Sequence, residues 1–76
     1  MDLVVRKESR LFQLIQVCYS LEDPLTRKRE LRALIKAGRE LDCHDLMVLS
    51  WDQESEETMD GKRVLIRPLW KWLINR

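Results

Sequence analysis

The run Leu11-Phe-Gln-Leu-Ile-Gln-Val-Cys-Tyr19 constrains the fold more than any other stretch of the chain. Read as a β-strand, it places Leu11, Ile15, Val17 and Tyr19 on one face and Phe12, Leu14 and Cys18 on the other. Both faces are largely apolar, so the strand belongs in the middle of a sheet that is covered on each side. Gln13 and Gln16 interrupt the run, and no segment approaches the ~20 apolar residues needed to cross a bilayer. No membrane contact is expected.

The flanking patterns supply the rest of the sheet. Asp2-Leu-Val-Val-Arg6 is β-rich, and the charged Lys7–Arg10 segment joins it to the central strand as a hairpin. Asp23-Pro24 starts a helix, because an Asp side chain accepts from free N–H groups at the N-cap and Pro loses nothing at the first helical position. Leu31, Leu34, Ile35, Gly38 and Leu41 recur at spacings of three and four, which predicts a helix to about Leu41 with one apolar and one basic face. Leu46–Trp51 follows as a third strand. A strand, helix, strand unit of this length implies a parallel pair with a right-handed crossover.

Residues 52–60 hold five carboxylates and no cation, and are expected to form an exposed, self-repelling loop closed by the Asp60-Gly61 turn. Lys62–Arg67 then reads as a fourth strand, most simply antiparallel to the third. Pro68 ends it. Leu69–Ile74 is a short amphipathic helix with Leu69, Trp70, Leu73 and Ile74 available to pack back on the sheet. The predicted fold is α+β (α/β-like), ββαββα, with a mixed four-stranded sheet, the long helix on one face and the last helix on the other.

Size and charge bound what such a domain does. Seventy-six residues make one domain, 1–76, and 2 Gly and 2 Pro mark an element-rich chain. Fourteen Lys and Arg against 13 Asp and Glu give a net charge of +1, so an electrostatic partner must read a local patch. A core this small supplies only about 3–5 kcal/mol, which favours self-association or a partner. The two cysteines, Cys18 and Cys43, and the lack of a secretory leader pattern predict a reduced, cytoplasmic protein.

The segments "DLVVRK", "LIQVCYSLEDPLTRKRELRALIKAGRELDCHDLMVLSWDQE" and "GKRVLIRPLWKWL", in this order, resemble the C-terminal domain that follows the ATPase module in a family of prokaryotic, chiefly archaeal, AAA-type ATPases of unknown function. That domain is similar to a degenerate PD-(D/E)xK restriction-endonuclease-like fold, here expected as a truncated core. The resemblance implies a hairpin, a crossover helix and a further parallel strand. It also implies an earlier helix and strand, and an ATPase module upstream. No Gly-x-x-x-x-Gly-Lys-Ser/Thr occurs in the chain, so it is not expected to bind ATP through a P-loop.

Nucleases of that fold place an Asp on one strand and an acid-x-Lys on the next, because two carboxylates converge on Mg²⁺ while the lysine activates water. Asp2 matches the first position, whereas Gln16 stands where the second carboxylate belongs and Cys18 where the lysine belongs. An amide is a poor ligand for a hard cation and a neutral thiol supplies no charge to a phosphoryl transition state. The expected protein is therefore non-catalytic, without cofactor or metal. A divergent metal-dependent nuclease is the reading that Asp2 keeps open.

Other constellations are weaker. Cys43-His44, with Cys18 or Asp45, lacks zinc-ligand spacing, and the single histidine has no nucleophile at a recognisable spacing. Arg27, Lys28, Arg29, Arg32, Lys36 and Arg39 form a basic helix face able to neutralise phosphates, and a nucleic-acid-binding module is the alternative they support. Glu30 and Glu40 interrupt that face, no aromatic residue interleaves with it, and the acidic segment offers it an alternative destination. Trp51, Trp70 and Trp72 are expected in the core or an interface. Trp70 and Trp72, two apart on a helix, cannot both face inward, so one of them is expected in a contact. The leading expectation is a protein-interaction domain that forms a homodimer through the open edge of the Asp2 strand and through Trp70 or Trp72.

Overall fold

The computed structural model describes the backbone of residues 2–7 and 10–74 and the side chains of residues 13–74. Strand β1 (Asp2–Lys7) pairs antiparallel with β2 (Arg10–Val17), with Asp2 opposite Gln16 and a register shift between Val5 and Arg6. Helix α1 (Pro24–Glu40) then crosses over to β3 (Leu46–Ser50), which lies parallel to β2. The hairpin, the crossover helix and the parallel strand expected from the pattern are all present.

Helix α1 begins where the Asp23-Pro24 pair places it. The Asp23 carboxylate accepts from the Leu25 N–H at 3.2 Å and from the Thr26 hydroxyl at 2.8 Å. These bonds, the Thr26 one foremost, hold the carboxyl below its ordinary pKa. Leu31, Leu34 and Ile35 descend from the helix onto Leu14 of β2, Leu46 and Val48 of β3, and Val64 and Ile66 further along the chain, with Leu21 and Cys43 closing the cluster. Ile15 and Leu49, equally buried, point to the opposite face of the sheet, as the two-faced character of the central run requires.

The second half of the chain departs from expectation. Residues 52–60 are not a loop throughout: they contain a fifth strand, β4 (Ser55–Met59), joined to β5 (Lys62–Pro68) by the Asp60-Gly61 turn. Asp60 and Gly61 both have positive φ, 53° and 77°, the geometry of a two-residue hairpin turn that twists with its strands. The sheet order is β1-β2-β3-β5-β4, so β5 inserts between β3 and β4 and runs parallel to β3, not antiparallel to it. The hairpin partner of β5 is β4. Self-repulsion does not keep β4 unfolded because cations neutralise it from both faces: Arg27 of α1 pairs with Glu57, and Arg63 of β5 pairs with Glu56 at 3.0 Å. The result is a mixed sheet in an α+β fold.

Helix α2 (Leu69–Ile74) follows β5 directly and packs on β3 and β5. Its orientation differs from the expected one. Leu69, Lys71 and Trp72 are half-buried, whereas Trp70, Leu73 and Ile74 are exposed. Lys71 donates to the Glu54 carboxylate at 2.6 Å in an exposed contact, so the inward face of this short helix mixes Leu69 and Trp72 with a cation. Among the described residues no helix is long and apolar enough to cross a membrane.

Gly38 marks a close approach of α1 to the turn before β3 and to β3 itself. A Cβ there would lie 2.9 Å from the Cys43 carbonyl oxygen and 3.0 Å from Leu46 Cδ2. The Cys43 N–H also donates to the Gly38 carbonyl at 2.8 Å, so the backbone has little room to retreat. Gly38→Ala gains about 1 kcal/mol of helix propensity but overpacks by about 1–3 kcal/mol. Thermal unfolding of that variant is expected to show a lower Tm. A higher Tm would mean that the α1–β3 turn yields.

Candidate functional site

The parallel strands β2, β3 and β5 present their carboxyl ends on one side of the sheet, where open α/β sheets expose residues to ligands. Tyr19 follows β2, Trp51 follows β3, and α2 with Trp70 follows β5. Tyr19 and Trp51 meet edge to face, with ring centroids 6.0 Å apart at 83°. All three rings are open to solvent, Tyr19 at 54%, Trp51 at 66% and Trp70 at 58% exposure, beside the exposed Leu73. Trp51 is thus not a core residue. Trp72 is half-buried and lines a separate cleft with Met47, Arg67 and Lys71.

The segment that carries Trp51 is held from three sides. The buried Ser50 hydroxyl donates to the Gln53 carbonyl at 2.8 Å and accepts from the Gln53 N–H at 2.9 Å, closing the bend at residues 50–53. From above, Arg27 of α1 donates to Gln53 Oε1 and to Ser55 Oγ, both at 2.9 Å, and pairs with Glu57. From below, Arg67 donates to the Ser55 carbonyl at 3.1 Å, and Glu54 accepts from Lys71, which lowers the Glu54 pKa. Trp51 and Asp52, at the bend of this anchored segment, are exposed.

The residues at the nuclease-like positions are placed differently. The side chain of Asp2 lies outside the described residues. Its Cα is the register partner of Gln16, as adjacent positions on a hairpin require. Gln16 turns its amide to α1 and donates to Glu30 at 2.6 Å. Cys18 is half-buried against the core, its N–H donating to the Leu49 carbonyl at 2.9 Å. Cys43 is buried, while its neighbour His44 is exposed between Lys62, 2.7 Å from Nδ1, and Asp42, 3.5 Å from Nε2. Among the described residues no three His, Cys, Asp or Glu side chains converge as a metal site.

The basic helix face is divided. Arg27 turns inward to β4, Arg39 lies 3.7 Å from Asp60, and Arg29 lies 3.9 Å from Glu30. Lys28, Arg32 and Lys36, spaced four apart, form an exposed stripe with no carboxylate partner among the described residues. No protein-family model, curated protein or solved structure matches the chain.

Tyr19, Glu22 and Asp52 were not among the candidate residues read from sequence, although one signal pointed to them. Two strands expected to be parallel neighbours must bring their carboxyl ends together, and Tyr19 and Trp51 occupy those ends. The chemistry at the nuclease-like positions is testable in turn. Incubation with single- and double-stranded DNA and RNA in Mg²⁺ or Mn²⁺ is expected to give no cleavage above that of Asp2→Ala. Metal-dependent cutting lost in that variant would overturn a non-catalytic reading.

Proposed function

We propose that the chain is a non-catalytic protein-interaction domain, with the Tyr19–Trp51–Trp70 surface as its contact site. The supporting observation is the exposure of two tryptophans and a tyrosine at the ends of three neighbouring strands, with Trp51 on a segment anchored by Ser50, Arg27, Arg67 and Lys71. Anchored aromatic rings offer large apolar area at low conformational cost, the property that concentrates binding energy at interfaces. The commitment of Gln16 to Glu30, together with the thiol of Cys18, supports the absence of nuclease chemistry, while the hairpin, crossover helix and parallel strand support a restriction-endonuclease-like core. On that reading the domain serves association, in the reduced setting of the cytoplasm, as a stand-alone remnant or as the tail of an ATPase.

A second reading, nucleic-acid binding, draws on the stripe Lys28, Arg32 and Lys36, which meets no carboxylate among the described residues. One experiment separates the two. Photo-crosslinking in cells from Trp70→p-benzoylphenylalanine is expected to give polypeptide adducts, and the same residue at Lys36 to give none with nucleic acid. Nucleic-acid adducts from position 36 alone would favour the second reading.

Within the first reading we also propose a twofold homodimer through β1. The sheet has two edges, β1 and β4. Strand β4 is short, and its Glu56 and Glu57 are charged side chains committed to Arg63 and Arg27 within the molecule, whereas Leu3-Val4-Val5 leaves β1 suited to pairing. The dimer proposed here leaves out Trp70 and Trp72, because α2 packs on β3 and β5 and not beside β1, so sedimentation equilibrium is expected to show a concentration-dependent dimer that Val4→Pro disrupts and Trp70→Ala does not. A constant mass near 9.2 kDa would exclude it.

A further inference from the structure

We propose that the Tyr19–Trp51–Trp70 surface recognises a cationic side chain, arginine or lysine, carried on an apolar peptide segment. The inference rests on the interaction-domain reading and names the chemistry of the partner. Two clefts meet at Trp51 and Asp52. One, of about 430 Å³, is walled by Leu69, Trp70 and Leu73, and the other, of about 560 Å³, by Tyr19, Glu22 and Gln53. The first is apolar in its walls, while the second carries the carboxylates of Glu22 and Asp52.

Those two carboxylates stand apart from their neighbours. Asp23 caps α1, Glu54 is bonded to Lys71, and Glu57 is paired with Arg27. Glu22 and Asp52 form no ion pair and no side-chain hydrogen bond among the described residues. A cation brought by another molecule would therefore meet both carboxylates without displacing an existing pair among the described residues. Trp and Tyr faces attract a guanidinium or ammonium group through the ring quadrupole, and flanking carboxylates add charge-assisted hydrogen bonds. The same carboxylates repel phosphates, which separates this surface from the basic stripe on α1. The apolar cleft beside it takes the aliphatic neighbour of the cationic residue, so the ligand has two anchors at a defined spacing.

The three tryptophan indole N–H resonances of the full chain, seen by ¹⁵N NMR, test this directly. Titration with acetyl-Leu-Arg-Leu-Gly-amide is expected to shift Trp51 and Trp70 saturably and to leave Trp72 in place. The neutral isostere with citrulline for arginine is expected to bind about fivefold more weakly. Asp52→Asn should weaken the arginine peptide and leave the citrulline peptide unchanged, a pattern that loss of folding does not produce. Equal affinity for both peptides would overturn recognition of the cation and leave the interaction-domain reading intact. Absence of shifts up to millimolar peptide, with polypeptide adducts still formed at position 70, would overturn the inference alone; absence of both would overturn the reading beneath it.

Discussion

Burial of Val64 and Ile66 between β3 and β4, beneath α1, is the constraint on which the rest of the structure depends. Both side chains are fully buried, and they complete the cluster made by Leu31, Leu34 and Ile35 above Leu14, Leu46 and Val48. Burial on this scale is worth about 1.5–3 kcal/mol per large aliphatic side chain, the largest source of stability open to so small a domain. Seating β5 in the interior forces its hairpin partner outward, and β4 becomes the edge. The chain between β3 and β4 must then pass over the carboxyl ends of the parallel strands, which is where Trp51 and Asp52 emerge.

Charge arrangement follows from that placement. The acidic segment lies beneath the inward-turned end of the basic helix and beside β5, so Arg27, Arg63 and Arg39 each meet a carboxylate of β4 or its turn. Such pairs contribute little individually where they are exposed. Arg27 differs because its guanidinium joins three partners on two elements, Gln53, Ser55 and Glu57, in a half-buried position. It couples the crossover helix to the segment that displays Trp51. The proposed contact surface thus depends on the fold through a few polar anchors, while the apolar core fixes only the direction in which the strands end.

The elements on either side of α1 were legible in the sequence for local reasons. A run apolar on both faces can only be central, an Asp-Pro pair can only start a helix cheaply, and a crossover of this length can only join parallel strands. That positions 16 and 18 carry an amide and a thiol, not a carboxylate and a lysine, was equally legible, since it is a statement about residue type. What escaped was the strand within residues 52–60, because a sequence shows the repulsion among its carboxylates but not the cations that approach from α1 and β5. The antiparallel placement of β5 against β3 failed with it, since that expectation took the two as direct hairpin partners.

By itself, the sequence determined the α+β class, the hairpin and crossover order, the basic and apolar faces of α1, and the Asp60-Gly61 turn, all of which rest on contacts or conformations within a few residues. Tertiary structure alone decided the sheet order, the roll of α2 that exposes Trp70 and half-buries Trp72, and the meeting of Tyr19 with Trp51 beside Asp52 and Glu22. The physical reason is separation along the chain. Tyr19, Trp51 and Trp70 belong to three different strand ends, and only the burial of β5 beside β3 brings those ends to one side of the molecule.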